Sequence, residues 1–167
     1  IVNNTGTTIL TCSTPAISLT ASGGLTYQWN NGLGNTASVT ITTPGTYTVN
    51  VIGPNGCSVS TSIVISQDIT VPIAGIVNLT GDNELTCALT SITLQASGNG
   101  TYLWNNGLGT SSIVNIVSPG TYTVLVTGSN GCTNSSSFEI LQDIEVPAPT
   151  YFYYEICQGE TVQLQDG

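Results

Sequence analysis

The sequence predicts an all-β protein built from tandem antiparallel β-sandwiches. Three observations support this fold class. Apolar residues alternate with polar ones along short segments, turn-forming pairs such as Pro-Gly and Asn-Gly separate those segments, and no long stretch has the apolar period of a helix. Short strands with turns about every 8–12 residues are typical of a sandwich.

The alternation predicts the strands of the first part of the chain. Along residues 46–52, Tyr47 and Val51 face one side, and the residues between them alternate to the other. The predicted strands are 8–12, 16–22, 25–30, 37–42, 46–52 and 58–66. In the last of these, Val59 and Ile65 are expected to face the core.

A repeat of 75 residues organises the chain. Comparing residues 1–72 with residues 76–147 needs no gap, and 42 of the 72 pairs are identical. Such agreement predicts two copies of one fold. We expect unit one at 1–72, unit two at 73–147 and the start of a third unit at 148–167.

The cysteines predict one disulfide in each unit. In the repeat, Cys12 corresponds to Cys87 and Cys57 to Cys132, and we expect Cys12–Cys57 and Cys87–Cys132 bonds. Cys157 would open the third unit and is expected to be unpaired. Zinc is the alternative, but two thiolates without His are too few ligands. Disulfides indicate an oxidising, extracellular location.

The composition argues against several functions. The chain has no Lys, Arg or His and a net charge of −9. A nucleophile would have no basic side chain beside it, so we expect no enzyme. Nucleic-acid binding depends on Lys and Arg and is not expected. Membrane insertion is not expected either, because no apolar run is long enough to span a bilayer.

Aromatic side chains are the candidate ligand contacts. Trp29 and Trp104 correspond in the repeat and could stack on sugars, but we favour a place in the core, since each lies on the apolar face of a strand. Tyr151 and Tyr153, in an aromatic run at 151–154, could form an exposed sugar-binding patch. A strand packed against the preceding unit is the favoured alternative.

Asp68 and Asp143 are the candidate metal ligands. Both stand near the predicted junctions between units, each followed by a Val-Pro pair. Calcium needs several oxygen ligands, and unit one contains Asp68 as its only charged residue. Calcium there would therefore need further donors, either from unit two, such as Asp82 or Glu84, or from backbone carbonyls. The alternative is that no cofactor binds and the proline stiffens a short linker.

Several segments resemble a known class of surface repeat. The Pro-Gly-Thr-Tyr-Thr-Val run at 44–49, repeated at 119–124, resembles the strand signature of PKD-like and bacterial immunoglobulin-like (Ig-like) domains. The Asn-Gly-Cys at 55–57 and the Gln-Asp-Ile-Thr-Val-Pro at 67–72 resemble repeats in giant, SprB-like adhesins of gliding bacteria, which are exported by type 9 secretion. The resemblance implies tandem Ig-like sandwiches.

The same resemblance implies a stalk or filament segment of a bacterial cell-surface adhesin, acting in attachment or gliding motility. Expected partners are neighbouring repeat units, surface glycans or the substratum, and the secretion and motility machinery. Two alternatives stay open. One is a carbohydrate-binding accessory module of a secreted enzyme, and the other is a subunit of a self-assembling extracellular fibre.

Overall fold

A computed structural model describes residues 1–145, which form fourteen β-strands and no helix. The first seven strands are β1 (Val2–Asn3), β2 (Ile9–Thr11), β3 (Ile17–Thr20), β4 (Thr26–Trp29), β5 (Ser38–Ile41), β6 (Gly45–Ile52) and β7 (Ser58–Asp68). The other seven are β8 (Gly75–Asn78), β9 (Glu84–Leu85), β10 (Ile92–Ser97), β11 (Thr101–Trp104), β12 (Ile113–Ile116), β13 (Gly120–Thr127) and β14 (Thr133–Gln142).

Each set of seven strands forms two sheets. In the first, a three-stranded sheet has the order β1-β3-β5 and a four-stranded sheet the order β2-β7-β6-β4. The second set repeats both sheets, as β8-β10-β12 and β9-β14-β13-β11. All pairs are antiparallel except β2 with β7 and β9 with β14, which are parallel. This arrangement confirms the predicted tandem Ig-like sandwiches.

Two separate hydrophobic cores lie between the sheets, one in each unit. The predicted alternation is observed: Ile17 and Leu19 of β3 are fully buried, and so are their counterparts Ile92 and Leu94. Within residues 1–145 no polar or charged side chain is buried. Hydrophobic burial therefore stabilises each unit separately.

The expectation for Val59 is wrong. This side chain is 64% exposed, whereas Ile65 is buried as predicted. Val59 lies at the start of β7, beside the turn at one end of the unit, and β7 reaches the core only further along.

The short strand β1 was not predicted, because two residues are too few to show alternation.

The predicted disulfide pairings Cys12–Cys57 and Cys87–Cys132 are also wrong. The structure joins Cys12 to Cys132, and both Cys57 and Cys87 carry exposed free thiols. Within residues 1–145 the chain thus has one disulfide that connects the two units, instead of one inside each.

The parallel pairing of β2 with β7 explains why Cys12 does not bond to Cys57. It places Thr11 opposite Asp68, so Cys12 lies beside the end of β7, whereas Cys57 immediately precedes the start of β7. The eleven residues of β7 span roughly 35 Å. A disulfide needs Cα atoms within about 7 Å of each other.

Unit two shows the same geometry. Leu85 of β9 pairs with Gln142 at the end of β14, and Cys87 follows two residues later, while Cys132 precedes the start of β14. Each unit therefore carries its two cysteines at opposite ends. The disulfide shows that the Cys12 end of unit one meets the Cys132 end of unit two.

Candidate functional site

The junction between the two units holds a cluster of polar contacts that join one unit to the other. It consists of the end of β7, the linker at 69–74, the turn at 11–14 in unit one and the turn at 128–132 in unit two. The disulfide joins the two turns, with 5.0 Å between the Cα atoms of Cys12 and Cys132. Cys132 is only 2% exposed, so the junction covers this end of the bond.

The 11–14 turn positions Cys12. The Thr11 N–H donates to the Thr14 carbonyl at 3.0 Å, and the Thr14 N–H donates to the Thr11 hydroxyl at 3.0 Å. A Thr hydroxyl that accepts from a nearby N–H fixes a tight turn. With β2 fixed on β7, this turn holds Cys12 at the end of unit one.

The 128–132 turn positions Cys132. The Gly128 N–H donates to the Cys132 carbonyl at 2.8 Å, and the Cys132 N–H donates to Asn130 Oδ1 at 3.0 Å. Gly131 has a φ of +78°, and a Cβ at this position would come 2.5 Å from Ser13 Cβ. Only glycine meets both requirements, so the two units approach closely here.

Asn130 connects the two units by hydrogen bonds. Its side-chain Nδ2 donates to Asp68 Oδ1 at 3.1 Å and to the Thr70 carbonyl at 2.9 Å. Its backbone carbonyl lies 3.3 Å from both the N and the Oγ of Ser13. One residue of unit two thus contacts the end of β7, the linker and the 11–14 turn.

Asp68 is the charged member of the junction. Hydrogen bonds from the Thr70 N–H, then from the Thr70 side chain and from Asn130, lower the pKa of Asp68 below its usual range. They do so because each donor favours the ionised carboxylate. The carboxylate is therefore a hydrogen-bond acceptor at neutral pH.

Further contacts hold the linker against unit two. Asn134 Nδ2 donates to the Pro72 carbonyl at 3.0 Å, and the Ile73 N–H donates to Asn99 Oδ1 at 3.4 Å. Beside them is a cleft of about 260 Å³, lined among others by Asp68, Pro72 and Asn130. The linker thus runs along the surface of unit two.

The two tryptophans belong to the cores. Trp29 is 5% exposed and Trp104 is 3% exposed. Their indole N–H groups donate to the Thr36 and Ser111 carbonyls, both at 2.9 Å. A buried ring with a satisfied N–H has no free face for a sugar. The core interpretation agrees with this burial, whereas the sugar-stacking interpretation does not.

The two aspartates do not come together. Asp68 lies at the junction, and Asp143 follows β14 at the far end of unit two, where it accepts the Glu145 N–H at 3.1 Å. Residues 1–145 contain no group of three or more acidic, Cys or His side chains that could hold a metal ion. Tyr151, Tyr153 and Cys157 lie outside the described residues.

Three junction residues, Ser13, Asn130 and Asn134, were not predicted from the sequence. Asn130 had a partial signal, because the Asn-Gly-Cys turn occurs in both units. Ser13 and Asn134 had none, since their counterparts are Ala88 and Val59. Their role depends on which ends of the units meet, and the repeat pattern leaves that undefined.

No protein-family model matches the sequence, and no curated protein matches it either. Solved structures do show similarity. One is a Ca²⁺-stabilized adhesin that helps an Antarctic bacterium to bind ice, with 19% identity, a TM-score of 0.50 and 81% of this chain covered. The match covers 45% of that structure's chain. At this identity the similarity shows a shared fold alone.

An IgVJ-C2 molecule of amphioxus also matches, with 15% identity and a TM-score of 0.37 over 75% of this chain and 96% of the other. Among residues 1–145, no helix is long and apolar enough to cross a membrane.

We predict that Asn130→Ala weakens the junction more than Asn55→Ala does. Both variants lose the hydrogen bond to the N–H of the cysteine two residues later, but only Asn130 also contacts Asp68 and Thr70. Urea unfolding should show that Asn130→Ala lowers the free energy of unfolding by about 1–2 kcal/mol more. Equal losses would contradict a junction role for Asn130.

We also predict that acid weakens the Asp68–Asn130 contact. Because the pKa of Asp68 is lowered in the folded protein, its stabilising effect is present above the unfolded pKa and is lost as the pH falls through the folded pKa. The Asn130 side-chain amide signal in NMR should titrate with a midpoint below 3.8, the usual Asp value. A midpoint at or above that value would contradict the contact.

Proposed function

We propose that this chain is a tension-bearing segment of an extracellular stalk in a bacterial cell-surface adhesin. The observation that carries the proposal is the disulfide between Cys12 and Cys132, which closes the junction between two Ig-like units. A covalent bond at this place serves no ligand. It restricts bending and separation of successive units, which is what a stalk requires.

The strand directions support an extended arrangement. β7 ends at the junction with Asp68, and β14 begins at the junction with Thr133. Each of these strands extends roughly 35 Å from the junction. The chain thus passes through the two units end to end, so that a force applied along it acts across the junction.

The disulfide also limits how far the chain can be stretched. The residues between Cys12 and Cys132 form a closed loop, with a sequence separation of 120, and a force applied to the chain ends bypasses them through the sulfur–sulfur bond. Each unit can therefore lose its fold without lengthening the stalk over this region. Such behaviour suits a protein that is pulled repeatedly.

The extracellular location and the assignment to a bacterial adhesin have separate support. A disulfide is typical of oxidising compartments outside the cytoplasm, and one solved structure with the same fold is that of a bacterial adhesin. Assignment to type 9 secretion and gliding motility rests on the resemblance of the repeat segments. The proposed role is mechanical, with no catalytic step.

The carbohydrate-binding alternative is not favoured. Its main candidates were Trp29 and Trp104, and both are buried. A self-assembling fibre, in which units of different chains would pack laterally or end to end, is not favoured either, because the described junction forms within one chain.

Single-molecule stretching tests this function. When the units of the oxidised chain unfold between its two held ends, only the residues before Cys12 and after Cys132 should lengthen it. Cys12→Ser should release additional extension of roughly 400 Å, because the separation of 120 residues then adds about 3.4 Å per residue.

The matched control is the double variant Cys57→Ser with Cys87→Ser, which removes the two free thiols of residues 1–145 but leaves the junction bond in place. It should stretch like the unchanged chain. If the unchanged oxidised chain lengthens as much as Cys12→Ser does, the proposed mechanical role is wrong.

A further inference from the structure

The two free thiols lie at opposite ends of the two-unit block. Cys57 is on the 53–57 turn, before the start of β7, and Cys87 is on the 86–89 turn, beside the end of β14. Cys57 is the repeat counterpart of bonded Cys132, and Cys87 is the counterpart of bonded Cys12. The block thus exposes, at its two ends, one counterpart of each cysteine in its own disulfide.

Cys57 is held in the same way as its bonded counterpart. The Gly53 N–H donates to the Cys57 carbonyl at 2.8 Å, and the Cys57 N–H donates to Asn55 Oδ1 at 3.1 Å. The equivalent bonds in the 128–132 turn measure 2.8 and 3.0 Å. The turn that presents Cys57 therefore needs no rearrangement to take a partner.

Cys87 is also held like its counterpart. The Thr86 N–H donates to the Leu89 carbonyl at 2.9 Å, and the Leu89 N–H donates to the Thr86 hydroxyl at 3.0 Å. These bonds repeat those of the 11–14 turn. Asp143 repeats the role of Asp68 as well, since each accepts the N–H two residues ahead at 3.1 Å.

The surface around Cys57 is uncovered where its counterpart is covered. Cys57 and Asn55 are exposed, whereas Cys132 is buried and Asn130 is partly buried. A Cβ on Gly56 would have no atom within 4 Å, whereas one on Gly131 would meet Ser13. The contacts that unit one gives to the 128–132 turn are thus absent at the equivalent turn of unit one itself.

We propose that each exposed end is half of a joint that a further unit of the same repeat completes. A preceding unit would bond to Cys57 through its counterpart of Cys12, and a following unit would bond to Cys87 through its counterpart of Cys132. The first cysteine of every unit then pairs with the second cysteine of the next unit. Two contacts would differ at the Cys57 end, because Val59 stands in place of Asn134 and Gly24 in place of Asn99. One would differ at the Cys87 end, because Ala88 stands in place of Ser13.

The bond forms by oxidation of two thiols. They lose two protons and two electrons, and the oxidant is a disulfide, either of a small thiol or of a thiol oxidoreductase, which is reduced to two thiols. The resulting loops overlap in sequence, because Cys87, where the next loop would begin, lies between Cys12 and Cys132. Every junction in an array is then bridged covalently.

This inference does not depend on adhesion, since it concerns only how units join. The test is a longer chain in which a second copy of residues 73–147 follows residue 147, with serine in place of the copy's own counterpart of Cys87. In the unchanged oxidised chain, a thiol-alkylating reagent should modify Cys57 and Cys87 fully in denaturant. In the longer chain, modification of Cys87 should fall by about tenfold or more, because tethering raises the local concentration of its partner.

Modification of Cys57 should be unchanged in the longer chain and serves as the internal control. Replacing the added copy's counterpart of Cys132 by serine should restore modification of Cys87. The inference is wrong if Cys87 stays reactive while circular dichroism shows that the added unit is folded.

A second extended chain tests the other end independently. Here a copy of residues 1–75, with serine in place of its own counterpart of Cys57, precedes residue 1. Its counterpart of Cys12 should protect Cys57 while Cys87 stays reactive. Because this added unit differs in sequence from the one added after residue 147, a folding failure in one extended chain leaves the other decisive. Full reactivity of Cys57 beside a folded added unit would overturn the inference.

Discussion

The parallel pairing of β2 with the end of β7 is the constraint on which the junction depends. It places Cys12 at the end of the unit that faces its successor, and the turn before β14 brings Cys132 to meet it. Closing a loop with a sequence separation of 120 stabilises the folded state by about 5 kcal/mol in the chain-entropy model. Because the loop contains most of both units, it couples their unfolding, whereas a bond within one unit would stabilise that unit alone.

The junction is built without cationic side chains. The chain has no Lys, Arg or His, so Asp68 takes its partners from the backbone N–H and side chain of Thr70 and from the amide of Asn130. Such hydrogen bonds involve a single charge and have no opposite charge that salt could screen. Hydrogen bonds at such an exposed carboxylate contribute little, and the covalent bond supplies the strength that several ion pairs would otherwise provide. The cohesion of the junction thus depends mainly on the Cys12–Cys132 bond.

Much of the fold could be predicted from the sequence. Alternation along Ile17–Leu19 and Tyr47–Val51 marked the core, and the repeat identified Trp29 and Trp104 as equivalent. The disulfide could not be predicted in the same way, because four cysteines at a regular spacing are compatible with bonds inside units or between them. The decisive fact is that β2 runs parallel to β7, a contact between a strand near the start of a unit's sequence and its last strand. Asn130 was missed for the same reason: its partners belong to the other unit.

The central claim is that Cys12 bonds to Cys132 across the junction, and non-reducing peptide mapping of the full chain tests it most directly. Pepsin is the suitable protease, because the chain has no Lys or Arg for trypsin and acid prevents thiolate exchange. Before digestion, free thiols are alkylated in denaturant. The structure predicts one linked peptide pair containing Cys12 and Cys132, with Cys57 and Cys87 alkylated. Peptides linked through Cys12–Cys57 and Cys87–Cys132 would contradict the account.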